Sequence, residues 1–449
     1  MKLTILGGGG FRVPLVYRAL LADHDPGRVT RVTLHDLDAR RLDAIGRVLA
    51  EQAGGVPDAP VVDATTDLDE ALRDADFVFS AIRVHGLEGR VIDERVALAE
   101  GVLGQETVGA GGVAYGLRTL PVALHIAERI AAVAPQAWVI NFTNPAGMVT
   151  EAMSRRLGDR VIGICDSPAG LGKRVARALG ADPRTVRLDY AGLNHLGWLR
   201  RVEIDGVDRL PGLLADDTAL LSLEEGRLFG ADWIRTLGAI PNEYLHYYYF
   251  GREGVAAAGG AAQTRGAFLL DQQSRFYASV AGCDTGALSA WRATLLERET
   301  TYMAENREAA GAGDRHEGDL ESGGYEQIAL ALMRAIALDQ RATLILNVRN
   351  RGALAGLDDD AVVEVPCTVG AGGARATAVG PLADHAAALV ASVKAVDRAV
   401  IEAAATGSRQ AALRAFAVHP LVDSVAVARR LLDEYRNRLP QLGYLSQEP

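Results

Sequence analysis

A run of four glycines directly after a short apolar segment most constrains what this chain can fold into. Residues 3–6 are apolar, and apolar residues recur with helical spacing over residues 13–21. The glycines between these two segments are Gly7, Gly8, Gly9 and Gly10. The pattern predicts a strand, a tight turn and a helix. Because glycines let backbone N–H groups approach a pyrophosphate at a helix N-terminus, the turn indicates a dinucleotide-binding site.

A carboxylate follows the second predicted strand, residues 31–34, at Asp36. In dinucleotide-binding sheets a carboxylate at this point accepts hydrogen bonds from the ribose hydroxyls and favours NAD over NADP. Arg12 stands where the third glycine of the usual fingerprint would be, so an ordinary tight turn is the alternative. The predicted cofactor contacts are the four glycines, Phe11, Arg12, Asp36, Arg83 and Asn141.

The first third of the chain alternates apolar strands with helical segments. Further strands are predicted at residues 76–82, 138–142 and 161–165. Continuous apolar strands separated by helices indicate a parallel sheet with both faces covered. We therefore predict an α/β fold. Its first domain, residues 1–183, is expected to be a Rossmann-like doubly wound parallel sheet, similar to lactate and malate dehydrogenases.

The sequence pattern changes after Pro183. Residues 186–193 and 198–204 alternate as paired antiparallel strands do, and residues 216–303 are mostly helical in pattern. Residues 305–324 are polar and rich in glycine, which predicts an exposed or lid-like loop. Residues 184–449 are thus expected to form an α+β domain for the substrate and for oligomerisation.

Charge and cysteine content exclude several classes of function. The chain has 449 residues, 47 of them basic and 57 acidic, and a formal net charge of −10. Such a surface opposes binding to nucleic acid or to an anionic membrane. The uncharged residues 130–150 contain two prolines and three amides, which a bilayer helix tolerates badly. The three cysteines, at 165, 283 and 367, form no disulfide framework, so a cytoplasmic protein is expected.

Polar residues follow predicted strand ends, where open α/β sheets bind their ligands. Cys165 with Asp166, and Asn194 with His195, place a thiol and an imidazole where a divalent metal can use both. From residue types alone, packing is the commoner role for such side chains. Tyr244 belongs to a tyrosine cluster, which is typical of a core or of a surface that stacks on sugars.

Six short strings, in this order and spacing, resemble glycoside hydrolase family 4, the NAD- and divalent-metal-dependent glycosidases. The resemblance covers nearly the whole chain, which looks most similar to the 6-phospho-β-glucosidases. Together the strings are far more specific than any one motif. They are residues 7–10 with Pro14, residues 101–107 (Gly-Val-Leu-Gly-Gln-Glu-Thr), residues 140–145 (Ile-Asn-Phe-Thr-Asn-Pro), residues 165–168 (Cys-Asp-Ser-Pro), residues 192–195 (Gly-Leu-Asn-His) and residues 241–244 (Pro-Asn-Glu-Tyr).

The resemblance implies a role for each matching residue. Cys165 and His195 match the family's metal ligands, usually for Mn²⁺, and Tyr244 matches its catalytic base. The residues at substrate-contacting positions are Asn144, Asn194, Arg90 and Arg265, the two arginines matching positions associated with an anionic group on the sugar. A homodimer or homotetramer is also expected, because members of the family form such assemblies.

The chemistry that the resemblance implies begins with oxidation. NAD⁺ takes a hydride from carbon 3 of the sugar, the metal polarises the resulting ketone, and Tyr244 removes the acidified proton from carbon 2. Elimination then releases the aglycone, water adds, and the hydride returns. This route differs from that of glycosidases with two catalytic carboxylates.

Several alternatives stay open at this point. Asp166 matches a position that often holds Asp in 6-phospho-α-glucosidases, where it could protonate the leaving group, whereas the overall resemblance favours the β-anomer. The same mechanism also suits a sulfonated glucoside, a glucuronide or a neutral α-glycoside. A different class, a net NAD-dependent sugar or hydroxy-acid dehydrogenase, fits composition and spacing without the resemblance.

Overall fold

The side chains of the first strand point alternately into two cores, which places this strand inside a sheet covered on both faces. The computed structural model describes residues 1–282, 285–313, 315 and 324–446. Leu3 and Ile5 of this strand belong to one buried cluster, and Leu6 belongs to the other. An apolar strand of this kind is stable only between two layers.

Thirteen strands form one sheet in the described residues. They are β1 (Lys2–Leu6), β2 (Arg31–His35), β3 (Val61–Thr65), β4 (Phe77–Ser80), β5 (Trp138–Asn141), β6 (Val161–Gly163), β7 (Arg187–Leu193), β8 (Leu196–Ile204), β9 (Val207–Asp208), β10 (Ile240–Pro241), β11 (Ala342–Arg349), β12 (Val362–Gly370) and β13 (Gly373–Ala376).

Six neighbouring strands run parallel in the order β3-β2-β1-β4-β5-β6. Leu6 at the end of β1 lies between His35 of β2 and Ser80 of β4. This is the strand order of the dinucleotide-binding fold, so the predicted doubly wound sheet is confirmed. The sheet then continues without a break into antiparallel strands in the order β11, β12, β7, β8 and β10.

Helices cover both faces of this sheet. Those in the described residues are α1 (Val13–Leu21), α2 (Ala39–Ala53), α3 (Leu68–Leu72), α4 (Gly86–Ala99), α5 (Gly109–Val133), α6 (Ala146–Leu157), α7 (Ser167–Ala178), α8 (Leu210–Ala215), α9 (Asp217–Ser222), α10 (Glu224–Phe229), α11 (Ala231–Leu237), α12 (His246–Tyr249), α13 (Gly251–Gly260), α14 (Arg265–Val280), α15 (Ala287–Thr300), α16 (Ala304–Ala309), α17 (Tyr325–Leu338), α18 (Asp384–Thr406), α19 (Arg409–Ala417) and α20 (Val425–Arg438).

The second half of the chain combines strands and helices, as predicted. The division between residues 183 and 184 stays a prediction, and one sheet runs through both parts. The segment predicted to be a loop, residues 305–324, begins inside helix α16. Most of the rest of that segment, residues 314 and 316–323, lies outside the described residues, and so does Cys283.

The uncharged residues 130–150 do not form one continuous helix. They comprise the end of α5, strand β5, a loop and the start of α6. Across the part of the chain that the structure describes, no helix is both long enough and apolar enough to cross a bilayer.

A buried ion cluster connects the long helix α18 to helix α6 and to strand β12. The Nζ atom of Lys394 on α18 lies 2.8 Å from Oε2 of Glu151 on α6. The same oxygen accepts the backbone N–H of Val362 at 2.9 Å, and Arg398 binds the other oxygen at 3.2 Å. The side chains of Glu151 and Lys394 are only 3% and 4% exposed. Each buried charge therefore depends on its partners to replace the hydration that it loses on folding.

We expect Lys394→Met to lower the free energy of unfolding by about 3 kcal/mol, since breaking a buried ion pair leaves an uncompensated charge. Arg409→Met is the control, because its pair with Asp433 lies on the surface and contributes less than about 1 kcal/mol. Urea titration followed by circular dichroism measures both variants. Equal losses in the two variants would contradict the role of the buried cluster.

Candidate active site

The glycine turn after β1 is held tightly against the neighbouring strands. The N–H groups of Gly7 and Gly8 both donate to the carbonyl of His35, at 2.9 and 2.7 Å. Gly7 has a φ of 81°, and a Cβ atom there would lie 2.5 Å from the carbonyl oxygen of Ala81. A larger residue therefore has neither the backbone conformation nor the space. The turn is a cradle of bare backbone, which fits a dinucleotide pyrophosphate.

Asp36 lies directly against this turn. Its Oδ2 atom accepts the N–H of Gly9 at 3.1 Å, so the carboxylate at the end of β2 is fixed beside the turn. Tyr277 of α14 donates to the carbonyl of Gly9 at 2.7 Å, and Trp291 of α15 donates to the carbonyl of Phe11 at 2.8 Å. Helices from the second half of the chain thus hold the turn in place.

One cavity of about 320 Å³ brings most of the predicted site residues together. It lies at the carboxyl ends of the parallel strands, as expected for an open α/β sheet. Gly8, Gly9, Asp36 and Asn141 do not line it. The predicted residues that line it are Gly7, Gly10, Phe11, Arg12, Arg83, Arg90, Asn144, Cys165, Asp166, Asn194, His195, Tyr244 and Arg265.

The predicted metal ligands are both buried in this cavity. Cys165 follows β6, and His195, with a φ of 62°, forms the turn between β7 and β8. The Nδ1 atom of His195 lies 3.1 Å from the hydroxyl of Thr107, which leaves Nε2 as the nitrogen for a ligand. Burial lowers the pKa of His195 to about 4, so its imidazole is neutral, the form that binds metals.

This donor set fits a divalent metal that shares its coordination with a substrate. Burial raises the pKa of the Cys165 thiol, and a bound cation would favour the thiolate instead. Among the described residues, no group of three or more His, Cys, Asp or Glu side chains is placed to hold a metal. A metal held by Cys165 and His195 would therefore keep positions open for substrate oxygens.

Tyr244 is stacked against the imidazole of His195. The two ring centroids are 3.7 Å apart and the planes differ by 7°. The side chain of Asn242 caps the turn by accepting the N–H of Tyr244 at 3.0 Å, and Tyr302 donates to the Tyr244 hydroxyl at 3.2 Å. Burial raises the pKa of Tyr244, so this phenol needs a nearby cation to act as a base.

Arginines and carboxylates alternate along one side of the cavity. Glu106 lies 2.7 Å from Arg83 and 2.8 Å from Arg90, and Glu94 accepts from Nε of Arg90 at 2.7 Å. Burial opposes the ionisation of Glu106, but the two guanidinium groups outweigh burial and lower its pKa to about 2. Glu106 therefore stays charged and holds both arginines in place.

A further arginine, Arg298, makes this side of the cavity strongly cationic. The guanidinium of Arg265 donates to the hydroxyl of Thr301 at 2.8 Å and to the carbonyl of Arg298 at 2.9 Å. Burial, with Arg12 and Arg265 nearby, lowers the pKa of Arg298 to about 9, although Glu299 opposes this shift. Nearby positive charges disfavour a further cation, so an anion would be stabilised here.

Arg12 and the predicted acid Asp166 are close to each other. Nη2 of Arg12 lies 3.7 Å from Oδ2 of Asp166. The guanidinium also lies 4.9 Å from the ring centroid of Tyr325 and 5.6 Å from that of Phe142. The long side chain at the third glycine position is thus accommodated between two aromatic rings, with its charge near the cavity.

The predicted asparagines differ in their surroundings. Nδ2 of Asn141 donates to Thr143, Ala146 and Thr150 at 3.1–3.2 Å, so this amide stabilises its own loop. Its assignment to the cofactor stays a prediction. Asn144 and Asn194 line the cavity, and Asn194 donates to the buried carboxylate of Glu364 at 3.2 Å.

The structure adds cavity residues that the sequence analysis does not identify. Glu106 and Thr107 belong to the string at residues 101–107, which is the sequence feature that points to them. Glu94, Arg298 and Tyr302 lie on helices or loops with no recognisable motif. Glu243, whose carboxylate accepts from Ser167 at 2.6 Å, directly precedes Tyr244, and burial raises its pKa to about 7.

The fold and the cavity define an enzyme of the dinucleotide-binding α/β class, with a thiol and an imidazole placed for a divalent metal. The chain belongs to family 4 of the glycosyl hydrolases. The family 4 glycosyl hydrolase pattern matches residues 2–181, and the pattern of the family 4 C-terminal domain matches residues 190–422. The resemblance found in the sequence is thereby confirmed, and the protein is a glycosidase of this family.

Two curated relatives cover nearly all of the chain. A probable 6-phospho-beta-glucosidase of Bacillus subtilis (strain 168) is 33% identical over an alignment of 460 positions, and the match covers 98% of this chain and 98% of the relative. A maltose-6'-phosphate glucosidase of the same strain is 31% identical over an alignment of 453 positions, and the match covers 96% of this chain and 94% of the relative. Both names describe a glucosidase that acts on a 6-phosphorylated sugar.

A solved structure extends the comparison to the cofactors. The 6-phospho-beta glucosidase from Thermotoga maritima, with manganese, NAD+ and glucose-6-phosphate, is 26% identical and has a TM-score of 0.83. The match covers 98% of this chain and 99% of that chain. That neighbour therefore carries both cofactors that the sequence predicts here, NAD and manganese.

We expect Cys165→Ser to weaken Mn²⁺ binding by about 100-fold, because a hydroxyl does not replace a thiolate ligand. Electron paramagnetic resonance of unbound Mn²⁺ measures this affinity directly. Cys367→Ala is the control, since Cys367 is also buried but lies on β12 outside the cavity. Equal Mn²⁺ affinity of Cys165→Ser and the unmodified protein would show that the ligand is misassigned.

We expect Asp36→Ser to weaken NAD⁺ binding about tenfold and to move the preference towards NADP⁺, because the carboxylate repels a 2′-phosphate. Calorimetric titration with each dinucleotide measures the change. Asp43→Ser on α2 is the control, since this exposed carboxylate pairs with Arg47 on the same helix. An unchanged ratio of the two affinities in Asp36→Ser would rule out the ribose contact.

Proposed function

We propose that this protein hydrolyses glucosides that carry a phosphate on carbon 6, with NAD and a divalent metal, Mn²⁺, as cofactors. The observation that carries the proposal is the side of the cavity that is rich in arginine, where Arg90, Arg265 and Arg298 lie together with the predicted metal ligands. A doubly charged phosphate accepts charge-assisted hydrogen bonds from guanidinium groups, often in bidentate pairs. The names of both relatives support the same substrate class.

The residues of the chain have separate tasks in this mechanism. Bound NAD⁺ and the metal supply a reversible hydride acceptor and a Lewis acid. Arg90 and Arg265 hold the 6-phosphate and so orient the sugar ring. Tyr244, stacked on His195, takes the proton from carbon 2 of the oxidised sugar and later returns it. The leaving group departs from carbon 1 between these two proton transfers.

The β-anomer is the substrate that we favour. Asp166 is the predicted proton donor for an α-linked leaving group, but its carboxylate lies in an ion pair with Arg12. An acid must approach the leaving group to protonate it, and the contact of Asp166 with Arg12 competes with that approach. The names of the two relatives, a 6-phospho-beta-glucosidase and a maltose-6'-phosphate glucosidase, do not distinguish the anomers for this chain. A comparison of the two anomers as substrates tests the preference.

The partner in this proposal is a small phosphorylated sugar and not a macromolecule. The acidic net charge of −10 opposes binding to nucleic acid, and Arg90, Arg265 and Arg298 line the cavity. An assembly of two or four copies and a cytoplasmic location stay predictions from the sequence.

Hydrolysis of 4-nitrophenyl β-glucoside 6-phosphate tests the proposal. With Mn²⁺ and a reductant present, we expect release of nitrophenol to require NAD⁺ in less than stoichiometric amount, with no build-up of NADH. We expect the α-anomer to react at least tenfold more slowly, because Asp166 is ion-paired. Steady accumulation of NADH would point to a net dehydrogenase, and a preference for the unphosphorylated glucoside would overturn the substrate class.

A further inference from the structure

The carboxylate of Glu94 joins the two helices that carry the predicted anion-binding arginines. Glu94 lies on α4, and its side chain is 2% exposed. Its Oε1 atom accepts Nε of Arg90 at 2.7 Å, one turn away on the same helix. Its Oε2 atom accepts the backbone N–H of Gly266 at 2.7 Å, in the first turn of α14. Arg265 is the first residue of α14, so one carboxylate connects the positions of both arginines.

Other contacts hold each guanidinium from its far side. Arg90 reaches Glu106 at 2.8 Å through Nη1. Arg265 donates to Thr301 and to the carbonyl of Arg298, both near the end of α15. The Glu94 bridge therefore links these two groups of interactions, and it helps to fix the separation of Arg90 and Arg265.

We propose that Glu94 is a positioning residue that sets the spacing of Arg90 and Arg265 and thereby the preference of the cavity for a phosphate on carbon 6. This inference rests on the proposed function, since it concerns the anion for which those arginines are assigned. Arginine recognises phosphate through a fixed planar geometry, and an arginine that is already held in place loses less entropy on binding.

The chain offers a matched control on the same helix. Asp93 is the next residue to Glu94, and its carboxylate binds Arg118 through two contacts of 2.6 Å, with both side chains fully buried. Neither Asp93 nor Arg118 lines the cavity. Asp93→Asn thus disturbs an equally buried ion pair without touching the arginines that face the substrate.

A second variant displaces the Glu94 carboxylate without removing any charge. A Cβ atom at Gly266 would lie 2.6 Å from Oε2 of Glu94 and 3.0 Å from Cγ of Arg90. Gly266→Ala therefore moves the Glu94 carboxylate away from the N–H of residue 266. Its control is Gly46→Ala on α2, where an added Cβ meets no atom within 4 Å. Alanine also favours a helix more than glycine does, so both variants should fold.

The test titrates glucose 6-phosphate, and separately glucose, into the full-length protein with NAD⁺ and Mn²⁺ present. We expect Glu94→Gln and Gly266→Ala to bind glucose 6-phosphate about tenfold more weakly than the unmodified protein, because the arginines lose their spacing. Binding of glucose should stay within about twofold, since glucose makes no contact with that anion site. Asp93→Asn and Gly46→Ala should leave both affinities unchanged.

The possible results separate the two proposals. Unaltered affinity for glucose 6-phosphate in Gly266→Ala overturns the positioning role of Glu94, and this variant decides the question even if Glu94→Gln does not fold. A parallel loss of affinity for glucose also overturns it, because Glu94 would then support the cavity as a whole. An unmodified protein that binds glucose 6-phosphate no better than glucose overturns the proposed function and this inference together.

Discussion

The buried carboxylate of Glu364 is the contact on which the arrangement of the site depends. Glu364 lies on β12 and accepts hydrogen bonds from Asn347 on β11 at 2.8 Å, and from Tyr190 of β7 and Asn194 in the turn after β7 at 3.2 Å. These strands connect the last parallel strand, β6, to the hairpin that carries His195. This connection fixes the position of Cys165, which follows β6, relative to that of His195 in the hairpin turn. Since burying a carboxylate is costly, the three donors are required rather than incidental.

Buried charge is the second constraint, and it explains why the cavity suits its proposed ligand. Arg90 is paired with Glu94 and Glu106, and Arg12 is paired with Asp166, so much of the buried charge is compensated within the protein. Arg298, whose pKa is lowered to about 9, indicates that positive charge is left over. In the proposed function a phosphate would offset that charge, and a divalent metal held by the thiol and the imidazole would supply a positive charge next to the oxidised sugar. The proposed reaction thus uses an anion site and a separate metal site.

Much of the fold followed from local sequence patterns, whereas much of the site did not. The parallel strands, the glycine turn and helix α1 are predicted from patterns of apolar residues and glycines that each extend over only a few residues. Strand β3 was not predicted, because its side chains are mostly exposed and its pattern is not apolar. The meeting of Cys165 with His195 depends on strands β11 and β12, which are more than 140 residues further along the chain. Their places after strand ends suggested the pair, and the resemblance to the family made the assignment specific. Neither signal carried information on the Glu94 bridge.

The most direct test of the central claim, that hydrolysis proceeds through transient oxidation of the sugar, is the isotope content of the product. The reaction is run in D₂O with the 6-phosphoglucoside, NAD⁺ and Mn²⁺, and carbon 2 of the released glucose 6-phosphate is examined by NMR. Removal and return of the carbon 2 proton by Tyr244 predicts deuterium at that carbon. A product with only protium at carbon 2, formed at the full rate, would contradict the account and indicate direct displacement at carbon 1.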